Sequence, residues 1–274
     1  SRSTTTSSTS IDEASTSASP VLGRIRDGYK TMTRMRRLAE LCLRPRDQFV
    51  HPSTIDKDEA TIINATHELV FRTAQVLMSA LFDFASIAFP DFVTLTADER
   101  WHLVSGCADR VNIIESTYRA AKMYPDDERI FVAYTLTLSP ETVDDMLRDC
   151  PQNEHKEKAS EALIKTLKNT AGKSKRAMRR TNPSEEEFLY MIALAFWNTD
   201  APAADDRLHS MALTNRSAIM RDIASYYSAR GVNEYATRIG ELFCLLVNNE
   251  SVTYRITEDV ELLRLMDINE QPRM

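Results

Sequence analysis

Glu115 and Arg119 lie one helical turn apart in the stretch Ile114-Glu115-Ser116-Thr117-Tyr118-Arg119, a spacing at which carboxylate and guanidinium pair along one helix face. Arginine also stays charged when desolvated and grips carboxylates with two parallel donors, so Arg119 has the chemistry to hold an acid. Little else is spaced for reaction. There is no HExxH, GxSxG, Walker loop or GxGxxG pattern. His51, His67, His102, His155 and His209 sit apart, and no pair has metal-ligand spacing on one helix. The acid pairs Asp126-Asp127 and Asp144-Asp145 fall in turns or on solvated helix faces. Cys42, Cys107, Cys150 and Cys244 are far apart without a CxxC pair, which fits reduced thiols rather than a zinc site. Neither catalysis nor a metal or cofactor is expected.

The element carrying Arg119 opens at Thr96. Thr96 is a good N-cap, Glu99 completes a capping-box pattern, and Asp98 puts negative charge where the helix dipole favours it. The apolar stripe Leu103/Val104, Cys107, Val111, Ile114, Tyr118 leaves Arg119 on the flank beside Asn112 and Glu115. Before it, Ile62, Ile63, Ala65, Val70, Phe71, Ala74, Leu77, Met78, Leu81 and Phe82 recur at helical spacing and predict a helix over 59–89. Its second half reads as buried on more than one side, and no stretch approaches the roughly 20 uncharged apolar residues of a membrane span.

Other elements follow from local signals. A first helix is expected over 25–42, with Arg34, Arg36 and Arg37 forming a solvated face or an import signal. Residues 129–138 alternate and read as a short strand or hairpin, and Ser139-Pro140 starts another helix. Residues 156–180 form a charged helix grading into Lys173-Ser174-Lys175-Arg176, a solvated loop or an import signal. A further helix is expected over 214–229. Residues 1–22 are Ser/Thr-rich and read as a disordered hinge, or a leader, before one domain at 23–274. The formal charge of -6 argues against this domain holding nucleic acid, which needs a basic surface.

The segment 84–119, an apolar helix, the aromatic corner Phe89-Pro90-Asp91-Phe92 and a capped acidic start, resembles the helix 3 to helix 5 signature of nuclear receptor ligand-binding domains. Residues 183–198 resemble the family's eighth helix, and 238–246 its dimerisation helix, which runs on without a gap to Met266. The resemblance covers about 29–268, and the corner and Met123-Tyr124-Pro125 are most similar to nematode receptors related to hepatocyte nuclear factor 4. It implies an all-α fold, a three-layer antiparallel helical sandwich with one small β-hairpin. It further implies the ligand-binding and dimerisation domain of a ligand-regulated transcription factor in the nucleus, cut from a protein whose zinc-finger domain reads DNA outside this chain. The partners would be a second copy or another nuclear receptor, and transcriptional coregulators; no membrane is expected.

By the same resemblance, Arg119 falls where several receptors bind the carboxylate of a fatty or retinoic acid, so a small lipophilic acid is the implied ligand. The pocket wall would come from Leu77, Met78, Leu81, Ile114, Tyr118, Phe131, Tyr134, Leu262 and Met266, each of which also suits plain core. Ile239, Leu242, Phe243 and Leu246 would form the dimer stripe, with Gly240 allowing close approach. Three departures bear on function. The family's helix-3 lysine is replaced by Ser86 or Ile87, the second basic position is Ser105, and no segment after Ile256 fits the ΦΦxEΦΦ activation helix, Φ being apolar. These departures leave open a ligandless dimerisation or corepressor-interaction module.

Overall fold

The computed structural model describes residues 19–48, 50–51, 61–148, 156–198 and 206–265. Helix α1 (Pro20–Cys42) begins before the expected position 25. Ser19 caps it by accepting from the Val21 amide at 3.2 Å, and proline takes the first helical position. The expected boundary at 23 therefore falls inside α1.

Helix α2 (His67–Ala88) begins later than expected because Thr66 caps it and Ile63–Asn64 are extended as strand β1. Gly28 lets α1 press onto α2: a Cβ there would stand 2.8 Å from the Phe84 carbonyl oxygen. By length and apolar content alone α2 could cross a bilayer, contrary to the sequence expectation. Here its Leu69, Leu77, Leu81, Phe84 and Ala85 are buried in the protein's own core.

The corner is built as its residues suggest. Phe89 stacks on Phe196 at 5.3 Å, Phe92 is buried, and a 3-10 turn (Pro90–Thr94) leads into α3 (Ala97–Met123). The Glu99 amide donates to Thr96 Oγ1 (3.2 Å) and the Thr96 amide to Glu99 Oε2 (2.6 Å), completing the capping box.

Strands β2 (Ile130–Phe131) and β3 (Leu136–Leu138) pair antiparallel as the expected hairpin. β1 joins β3 in parallel, so the sheet has the order β1-β3-β2. A two-residue strand carries no period to detect in sequence. Ser139-Pro140 open only a 3-10 turn (Pro140–Thr142) and the single-turn α4 (Val143–Met146).

Helix α5 (Lys156–Asn169), a π-turn (Thr170–Lys175) and α6 (Arg176–Thr181) run on from one another, so the basic run is helical rather than a solvated loop. Lys175 is buried, and its Nζ donates to the carbonyls of Asp127 (2.8 Å) and Arg129 (2.9 Å). Burial lowers its pKa.

Asn182, in the left-handed region at φ 43°, ends α6 before α7 (Glu185–Phe196), which Ser184 and Glu187 cap reciprocally. Helix α8 (Asp206–Ala229) is longer than expected, and α9 (Tyr235–Leu265) is uninterrupted. α1 and α2 form one layer, α3, α7 and α8 the centre, and α5, α6 and α9 the third. This is the expected helical sandwich, with a small three-stranded sheet in place of a plain hairpin.

Candidate functional site

Arg119 sits near the end of α3 and is buried, although the helix stripe leaves it on the flank. The β2–β3 hairpin folds over it. Its guanidinium carbon lies 4.0 Å from the ring centroids of both Phe131 and Tyr134, and Nη1 donates to the Tyr134 carbonyl at 2.6 Å. The expected pair with Glu115 does not form. Glu115 instead accepts from Arg36 Nη1 and, at 2.9 Å, from the Tyr29 hydroxyl, both on α1. Arg36 is thus a buried member of the site, not part of a solvated face.

Arg36 also lies 3.5 Å from Glu40 and donates to Asn112 Oδ1 at 3.2 Å. Glu40 in turn accepts from the amides of Tyr134 (3.1 Å) and Thr135 (2.7 Å). The network therefore ties α1, α3 and the hairpin together around Arg119. Burial opposes the Arg36 charge, but Glu115 and Glu40 outweigh it and hold its pKa above the ordinary value. Burial, then the Glu115 carboxylate, pushes the Tyr29 hydroxyl well above its usual range. A paired network of this kind rigidifies the ceiling over Arg119, with Arg36 Nε held by charge rather than by a hydrogen bond.

The expected pocket wall divides in two. Leu77, Leu81 and Ile114 are in the central core, with Met78 and Tyr118 packed against it. Tyr118 stacks on Phe188 at 4.0 Å, and burial pushes its hydroxyl up to about 12. Phe131 and Tyr134 are spent on the Arg119 guanidinium. The side chain of Leu262 and the whole of Met266 lie outside the described residues.

Ile114 also faces a cavity of about 190 Å³ between α3, α7, α8 and α9. Leu194, Leu246, Phe243 and Val247 line it with Arg216 and Asn249. Asn249, missed in the sequence reading, is buried at 1% exposure. The available signal was an amide amid apolar residues of one helix face, Leu242, Leu245 and Val252.

The residues expected to form a dimer stripe on α9 do not share an outward face. Leu242 is 4% exposed and belongs to the core, while Ile239 and Leu246 are half-buried against it. The outward apolar residues are Phe243, Val247 and Tyr254, at 41%, 62% and 68% exposure. A Cβ at Gly240 would meet open space. Arg238 anchors this helix. Its Nε and Nη2 donate to the two oxygens of Glu187 at 2.8 and 2.7 Å, and its Nη1 to the Thr181 carbonyl at 2.9 Å.

A family model described as the ligand-binding domain of nuclear hormone receptor matches residues 57–266. The chain belongs to this family. Nuclear hormone receptor family member nhr-28 of Caenorhabditis elegans is 27% identical over 92 residues, 33% of this chain and 21% of that relative. The match thus spans about a fifth of the relative's length. The nuclear receptor family is one of ligand-regulated transcription factors and not of enzymes.

In a nuclear receptor frame, the positions where clamp charges were expected, Ser86 or Ile87 and Ser105, carry no charge, and both serine hydroxyls turn back on their own helices. Ser86 Oγ donates to the Phe82 carbonyl at 2.8 Å, and Ser105 Oγ to the His102 carbonyl at 3.2 Å. Apolar side chains stand on the same two helices and the corner that joins them. Phe82 stacks with Trp101 at 6.4 Å, and Trp101 and Val93 are exposed.

Proposed function

We propose that this receptor domain pairs with a second copy or another nuclear receptor through the outward row Phe243, Val247 and Tyr254 of α9. That row carries the reading. Large apolar side chains at i, i+4 and i+11 share one helix face, and leaving them in water costs what a partner helix recovers. The domain acts in the nucleus as part of a transcription factor whose DNA-reading module lies outside these residues. Coregulators dock on the apolar surface around Phe82 and Trp101, without the usual end clamps.

Regulation by a small lipophilic acid at Arg119 is the natural family extension. Its guanidinium keeps donors beyond the one given to Tyr134, and no carboxylate among the described residues pairs with it. The closed stack of Phe131, Arg119 and Tyr134 supports the second reading, a ligandless pairing module.

The first test is Val247→Glu, read by light scattering. A folded monomer replacing a wild-type dimer supports the pairing face; a dimer that persists removes it. Denaturing mass spectrometry of the purified chain separates the two readings of Arg119. A co-purified fatty acid lost in Arg119→Ala supports the liganded receptor, and the same lipid content in both proteins rejects it.

A further inference from the structure

The α3–α7–α9 cavity has features that core packing alone does not explain. Its inner wall, Ile114, Leu194 and Leu246, is apolar, and one polar side chain is set into it. Asn249 is 1% exposed, its Oδ1 lies 3.3 Å from the Thr117 hydroxyl, and its Nδ2 is buried without a partner. Turning the amide over does not remove the problem, since either end can meet Thr117 and the other is then unpaired. An unmet buried amide end costs about 1–3 kcal/mol, so a side chain kept in that state points to a group that meets it.

At the half-buried edge stands Arg216, from α8, which has no ion pair among the described residues. Two other charges line the cavity and are already engaged. Arg110 donates to the Asn198 carbonyl, and Glu250 accepts from Asn198 Nδ2 at 3.3 Å. Those partners are neutral, so the charges lining the cavity, two arginines and one glutamate, sum to one positive charge.

We propose that this cavity is a binding site for a small aromatic hydroxy acid, separate from the Arg119 interior. The ring lies against Ile114, Leu194 and Leu246. Its carboxylate meets Arg216 at the mouth, and a hydroxyl or carbonyl at the opposite end meets Asn249. A volume of about 190 Å³ suits a single substituted ring, since a dry apolar cavity of about 150 Å³ takes up benzene. The wall also includes Phe243 and Val247, so the occupant lies directly beneath the outward face of α9.

The test is calorimetric titration of the purified chain with 4-hydroxybenzoate, benzoate and phenol. Saturable binding is expected for 4-hydroxybenzoate, with benzoate weaker by about threefold to tenfold for the lost neutral hydrogen bond, and phenol weaker by about tenfold or more for the lost charged one. Arg216→Gln, near the surface, should weaken both acids by about tenfold and leave phenol unchanged. Leu246→Trp, checked for folding by circular dichroism, should fill the space and abolish all three. Arg119→Ala should change none of them. Acid binding that is lost in Arg119→Ala and kept in Arg216→Gln would place the probes in the Arg119 interior and overturn the proposal. No saturable binding at about 10 mM, below even the weak millimolar scale of affinity, overturns the proposal. So does binding indifferent to both Arg216→Gln and Leu246→Trp.

Discussion

Arg238 at the start of α9 and Arg119 near the end of α3 are held in different ways. Arg238 gives two donors to one carboxylate, Glu187, which also accepts from the Tyr227 hydroxyl at 2.5 Å. Arg119 gives one donor to a carbonyl and its faces to two rings. The first arrangement closes its own charge balance, so it works as a rivet between α7 and α9. The second leaves a net positive charge under the hairpin, where an incoming acid would be welcomed. A buried arginine is thus read by its partner rather than by its burial.

The largest expected effect is at the rivet. Glu187→Ala removes the more buried partner of the pair, leaves Arg238 only Glu241 and backbone carbonyls, and strands the Tyr227 hydroxyl, at a cost of about 3 kcal/mol. A fall in the urea midpoint with unchanged slope would show it, and a midpoint equal to wild type would break the contrast. Arg119→Ala should cost less, about 2 kcal/mol, since it loses two desolvated ring contacts and one carbonyl bond but strands no charge. A larger loss than at Glu187 would mean that Arg119, too, is chiefly structural.

Acid titration sharpens the same comparison. Burial alone would raise the Glu187 pKa, but hydrogen bonds from Arg238 and Tyr227 outweigh it and hold it below the ordinary value. Its stabilising contribution is therefore complete above the unfolded carboxylate pKa, about 4.3, and is lost as pH falls through the lower folded value. Stability measured down the acid limb should flatten in Glu187→Gln and keep its slope in Arg119→Ala. The smallest expected effect on stability is at the outward face of α9. Val247→Glu should change the unfolding free energy by no more than about 0.5 kcal/mol while changing the oligomeric state. By contrast Leu242→Arg puts a charge into the core and should unfold the domain, so it cannot report on pairing.

Several features were legible because their causes lie within a few residues. The Thr96–Glu99 and Ser184–Glu187 capping boxes and the aromatic corner needed only local chain. Their order and spacing in turn determined the receptor family and its helical sandwich. Other features had no local cause. Arg119 was expected either to pair with Glu115 or to hold a ligand, yet Glu115 reaches Arg36, 79 positions away in the chain. Lys175, in a run of charges, is buried because the carbonyls of Asp127 and Arg129 accept hydrogen bonds from its ammonium group.

The sequence by itself determined the capped starts of α3 and α7, which family the helices build and that α9 carries an apolar stripe. Only the tertiary structure decided that Leu242 faces in and Phe243 out, that the hairpin closes over Arg119, and that Asn249 borders a cavity. The physical reason is range. Caps and helical periods are satisfied within one or two turns, whereas the partner of a buried charge and the inward side of a helix depend on elements distant in sequence.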